Sequence, residues 1–87
     1  MTEQTIKDLR HIFEYFGAEN QKQKLIEEAK EYIQDQNEHE VADVFIVSLQ
    51  LYLHSKKVQR AVDYKIQRTV ERIKENYYDK ETGRKRK

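Results

Sequence analysis

Cysteine and proline are absent from this chain, glycine occurs only at Gly17 and Gly83, and no apolar run exceeds the four residues Val44 to Val47. Without cysteine there is no disulfide framework and no thiolate ligand or nucleophile, although this says nothing firm about the compartment. Without proline, and with so little glycine, nothing interrupts a helix except at two punctuation points. A four-residue apolar run is far too short to span a bilayer. The opening "MTEQTIKDLR" carries both signs of charge and no apolar core of a secretion signal, so a soluble cytoplasmic protein is expected. What remains is 87 residues that are 38% charged and 37% hydrophobic, the size of one domain. The apolar positions are periodic, which argues against disorder.

The periodicity predicts four helices and an all-α, four-helix bundle-like protomer in one domain over residues 1–78. The first helix, about residues 5–16, places Ile6, Leu9, Ile12, Phe13 and Phe16 on one stripe, with Gly17 positioned to end it. The second, about residues 20–34, carries Leu25, Ile26, Ala29, Tyr32 and Ile33. Asp35–Asn37 then form a short polar break of the kind that joins antiparallel helices. The third, about residues 38–55, is apolar nearly all round, through Val41, Val44, Phe45, Ile46, Val47, Leu49, Leu51, Tyr52 and Leu53. Such a helix is buried on most sides, which predicts both a central position and a subunit interface. The fourth, about residues 56–77, turns Val58, Val62, Ile66, Val70 and Ile73 inward, and residues 79–87 are a charged, flexible tail.

Charge is distributed unevenly along this pattern. The stretch Glu27–Asp43 holds seven acids against the single cation Lys30, a balance of −6 in a chain whose total is +1. A helix turns about 100° per residue, so residues three apart share a face. Glu28 and Glu31 therefore fall together on the second helix, and Glu40 and Asp43 lie on an otherwise buried stripe of the third. If the two helices fold back about residues 35–37, Glu31 faces Glu40 and Glu28 faces Asp43, on levels about 4.5 Å apart. Buried carboxylates are costly unless paired or metal-bound. Four of them in a square match a hard divalent cation, and Mg2+ in particular, with Mn2+ as the alternative. The competing reading is a solvated acidic face on which Lys24 pairs with Glu28 across one turn. Glu27, Asp35 and Glu38 fit that reading better.

These residues also carry a resemblance. "EEAKE" (Glu27–Glu31) followed by "EVAD" (Glu40–Asp43) resembles the EExxE…ExxD signature of the MazG-like, all-α nucleoside triphosphate pyrophosphohydrolases. "QKQKLIEEAKE" resembles the family's lead-in, "DVFIVSLQLYL" its apolar third helix, and "KIQRTVER" (Lys65–Arg72) its basic last helix. The gap of eight residues between Glu31 and Glu40 is shorter than the family's usual one. The resemblance implies Mg2+-dependent cleavage of a nucleoside triphosphate between its α and β phosphates, giving monophosphate and pyrophosphate. It places Glu28, Glu31, Glu40 and Asp43 at metal-binding positions, and Glu31 is the candidate to orient or deprotonate the attacking water. The third helix, apolar nearly all round, points to a homo-oligomer, a dimer or a tetramer.

Lys65, Arg68 and Arg72 fall within about 60° of one another beside the apolar stripe of the fourth helix. They are candidates to hold triphosphate oxygens, or they pair with Glu71 and Glu75. Lys24 either reaches a phosphate or screens the carboxylates around it. His39 within an acidic cluster is read as a surface residue rather than a zinc ligand. The terminal Arg84–Lys87 is read as a solubilising tail rather than a nucleic-acid contact. Two rivals stand beside the pyrophosphohydrolase. One is a related hydrolase of the phosphoribosyl-ATP type, and the other is a non-catalytic helical interaction module with a basic tail.

Overall fold

The computed structural model describes residues 1–86, so Lys87 of the expected tail lies outside the described residues. The chain is all-α, in the order α1 (Glu3–Phe16), α2 (Ala18–Gln34), α3 (Glu38–Leu53) and α4 (Lys56–Lys74). No helix is long and apolar enough to cross a membrane among the described residues. Met1–Lys56 form one compact unit, and a second begins at Lys57.

Capping chemistry explains where each helix begins and ends. α1 starts earlier than its apolar stripe because Thr2 Oγ1 accepts the Thr5 N–H at 3.1 Å. It stops at Gly17, whose φ of 86° and ψ of 157° are open almost only to glycine. There the Gly17 N–H donates to the Phe13 carbonyl at 2.8 Å, and the Gly17 carbonyl already accepts the Gln21 N–H of α2 at 3.1 Å. One glycine thus closes one helix and opens the next. Asn37 caps α3 by accepting the His39 and Glu40 N–H groups on its Oδ1, each at 3.0 Å. α3 ends before His54, whose ring stacks on Phe13 with centroids 4.0 Å apart. α4 ends at Lys74, short of the expected Tyr77, because Asn76 adopts φ 57° and the Tyr77 N–H turns back to the Arg72 carbonyl at 2.8 Å.

In the first unit α2 and α3 pack as an antiparallel hairpin, with α1 against both. Leu9 and Val47 are its buried apolar residues, and three polar residues, Gln21, Glu28 and Gln50, are buried with them. Burying a Leu or Val side chain contributes about 1.5–3 kcal/mol, so a core this small leaves the outcome sensitive to its polar members. The expectation that α3 is buried on most sides is not met within one chain. Val41, Phe45 and Ile46 are exposed, Phe45 by 54%, because α1 and α2 cover only one side of the helix.

In the second unit the apolar stripe of α4 is likewise exposed at Val58, Ile66, Val70 and Ile73, with Ile66 at 58%. Residues 75–86 form a turn closed by an isolated antiparallel bridge between Tyr78 and Lys85. The Asp79 N–H donates to the Arg84 carbonyl at 2.7 Å, and Arg86 Nε donates to the Tyr78 carbonyl at 2.8 Å.

Gly17 supplies the test of this architecture. A Cβ there would meet nothing within 4 Å, so any penalty is conformational rather than steric. Gly17→Ala is expected to cost about 1–3 kcal/mol of stability, read as a lower urea midpoint at unchanged m-value. An unchanged midpoint would show that the α1–α2 junction is not held in that conformation.

Candidate metal centre

The hairpin brings the predicted carboxylates together. Glu28 from α2 and Glu40 and Asp43 from α3 each offer an oxygen, and the three oxygens lie within 4.8 Å of one another. Opposite ligands of one Mg2+ stand about 4.2 Å apart, twice a bond of about 2.1 Å, so closing on the ion asks less than about 1 Å of side-chain movement. The larger Ca2+ or Mn2+ would ask less. Three of the four carboxylates expected to face one another across the turn thus share one group. Glu31 is exposed and stands outside this group of three.

Burial differs across the cluster: Glu28 is buried and Glu40 half-buried, whereas Asp43 is exposed, so the stripe of α3 expected to bury it is open to solvent there. Glu28 is only 5% exposed. Its Oε1 accepts from Lys24 Nζ at 2.9 Å, the ion pair that the competing reading of an acidic face expected between neighbouring turns of α2. Its Oε2 is shielded from solvent and has no hydrogen-bond partner, and the same is true of Glu40 Oε2. Two solvent-shielded carboxylate oxygens without donors are costly. Both oxygens belong to residues of the cluster, and a hard cation is the partner their chemistry fits. The contact with Glu28 also holds the Lys24 ammonium above the usual lysine range, chiefly by the hydrogen bond and then by charge.

Glu31 reports the same crowding from the side. Its carboxyl is held above the ordinary range, first by the hydrogen bond it can donate to Glu28 when protonated and next by the Glu28 charge. Burial and Glu40 add to the shift, and Lys24 opposes it. A protonated Glu31 satisfies Glu28, whereas an ionised one only repels it.

A cleft of about 410 Å3 opens beside the carboxylates, still within the first unit. Lys24, Glu28 and Asp43 lie in its wall, together with Phe16, Gln21 and Gln50, and Glu27 also lines it. Gln21 and Gln50 were not among the expected site residues. Gln21 Nε2 donates to Gln50 Oε1 at 2.8 Å in a buried contact across α2 and α3. A signal for both existed in the spacing. Gln21 stands seven residues before Glu28, and Gln50 seven after Asp43, so each shares the face of a cluster carboxylate.

Lys65, Arg68 and Arg72 belong to the second unit and are described there alone. Arg68 lies over the Tyr64 ring at 5.4 Å and Arg72 over the Tyr77 ring at 4.5 Å. A hydrogen bond to Arg72 also lowers the Tyr78 hydroxyl below its usual range, and the bond in turn raises Arg72. No protein-family pattern, curated protein or solved structure matches the chain.

The shift of Glu31 has a definite sign. Because the folded protein holds this proton more tightly than the unfolded chain, stability falls as pH rises from the ordinary carboxyl value to the raised one. Glu31→Gln cannot ionise. In metal-free buffer its urea midpoint is therefore expected to gain on the natural protein as pH rises across that window, and to hold a constant lead above it. A lead that does not vary between about pH 4 and about pH 8 would remove Glu31 from the cluster's electrostatics.

Proposed function

We propose that the first unit is the catalytic part of a Mg2+-dependent nucleoside triphosphate pyrophosphohydrolase of MazG-like type, with Mn2+ as the alternative metal. The observation that carries this reading is the pair of shielded, unpartnered oxygens on Glu28 and Glu40, two members of a Glu28, Glu40 and Asp43 group tight enough for one cation. Glu28, Glu40 and Asp43 would hold the metal, and Glu31 would complete the set from the rim. The ion supplies charge neutralisation for the triphosphate and a more acidic water.

The protein's own groups divide the remaining work. Lys24 holds Glu28 in place through its ammonium and presents further N–H donors, which suits it to a phosphate oxygen. Glu31 is exposed at the rim of the group and open to solvent water, the position wanted in a group that orients or deprotonates the attacking water. Lys65, Arg68 and Arg72 keep the phosphate-binding role that the resemblance gives them, as a proposal resting on their charge. The exposed Val41, Phe45 and Ile46 on α3 support homo-oligomerisation, since an apolar helix face left to water is unfavourable.

Two measurements test the reading. Asp43→Asn and Glu40→Gln are each expected to reduce Mg2+-dependent pyrophosphate release from a panel of NTPs and dNTPs to background, with helical circular dichroism retained. Full activity in both variants would remove the carboxylates from the chemistry. Sedimentation at micromolar concentration is expected to give at least a dimer, and Phe45→Glu is expected to shift it toward monomer. A strictly monomeric natural protein would show that the α3 face is not an interface between copies.

A further inference from the structure

The cleft beside the carboxylates has a composition that cation binding alone does not explain. Its volume of about 410 Å3 falls within the range of small-molecule sites, about 300–1,000 Å3. Ile12, Phe16, Ile46 and Val47 give it an apolar wall, whereas Gln21 and Gln50 set two amides into the same space. The rest of its lining, Asn20, Gln23, Lys24, Glu27, Glu28 and Asp43, is polar or charged. An apolar wall set against polar groups is the pattern of a site that orients one ligand. We infer that this cleft receives the nucleobase of the nucleotide whose phosphates lie at Glu28, Glu40 and Asp43, with the Gln21–Gln50 pair reading the base edge. The inference rests on the function proposed above, because the shared walls at Lys24, Glu28 and Asp43 are what join the base to the phosphates.

The amides suit this task because they are already fixed. Gln50 is 1% exposed and Gln21 5%, and each orients the other through the 2.8 Å bond from Gln21 Nε2 to Gln50 Oε1. That bond uses one donor of Gln21 and the carbonyl of Gln50. Beyond that bond, Gln21 carries a carbonyl acceptor and Gln50 an amino donor. The hydrogen-bonding edges of nucleobases likewise set a donor beside an acceptor. Were the pair needed only to join α2 to α3, an apolar contact of the same shape would serve without the cost of burying amides. Phe16, half-exposed at the α1–α2 junction, offers a ring face to a base.

Side-chain amide NMR on the full chain in Mg2+ tests the inference, using the four common nucleoside monophosphates and inorganic tripolyphosphate as the base-free probe. The monophosphates are expected to shift the Gln21 and Gln50 amide resonances by amounts that differ among bases, while tripolyphosphate leaves those resonances in place. Phe16→Ala, at an exposed position where folding is not at stake, is expected to weaken monophosphate binding about tenfold without changing Mg2+ affinity. Gln21→Met, if folded, is expected to level the differences among bases. Equal binding of tripolyphosphate and all monophosphates, or unmoved Gln resonances while Mg2+ still binds, would overturn the base cleft and leave the metal centre standing. Base-dependent shifts without any Mg2+ binding would support the cleft and overturn the proposed metal chemistry instead.

Discussion

Glu28 is the point on which the first unit turns. One of its oxygens is held by Lys24, the other is shielded from water without a hydrogen-bond partner, and the carboxylate groups with those of Glu40 and Asp43. Each neighbour that makes this arrangement compact also makes it more repulsive. Folding alone would more readily accept an apolar residue here, since replacing buried charge by well-packed apolar groups is often neutral or stabilising. The chain instead places three carboxylates on facing turns of a hairpin whose break, Asp35–Asn37, sets the register. A cation entering that group supplies the missing partners, so binding and stability are linked at one site.

The rest of the unit can be understood from that constraint. Leu9 and Val47 are a slight core, and the Gln21–Gln50 bond and the Lys24–Glu28 pair share in joining and orienting the helices around it. Gly17 and Asn37 fix where α2 begins and where α3 begins, and hence the levels at which the carboxylates meet. The cleft and the carboxylate group share walls because both draw on α2 and α3, with Ile12 and Phe16 of α1 completing the cleft.

Much of this was legible in the sequence. Four helices follow from apolar periodicity, and helical phase with a short turn expects four carboxylates together, of which Glu28, Glu40 and Asp43 form the group and Glu31 stands outside it. Helix ends were less legible. The starts at Glu3 and Ala18 and the early end of α4 depend on Thr2, Gly17 and Asn76, whose capping conformations apolar periodicity does not report. Burial was least legible. Val41, Phe45 and Ile66 have the pattern of buried residues, yet what covers them depends on tertiary and quaternary contacts that no window of sequence contains. The Gln21–Gln50 pair was overlooked for a related reason, because glutamine on a helix ordinarily faces water and only the packed hairpin turns these two inward.

The claim that Glu28, Glu40 and Asp43 form a cation site can be tested on the protein without any substrate. Mn2+ free in solution gives a strong six-line paramagnetic resonance signal that broadens away when the ion is held by a protein. Titration of Mn2+ into the natural protein is expected to suppress the signal in proportion to protein added, with Mg2+ in excess restoring it and Asp43→Asn abolishing the suppression. A full-strength signal at every protein concentration, or suppression that survives Asp43→Asn unchanged, would contradict a metal centre at these three carboxylates.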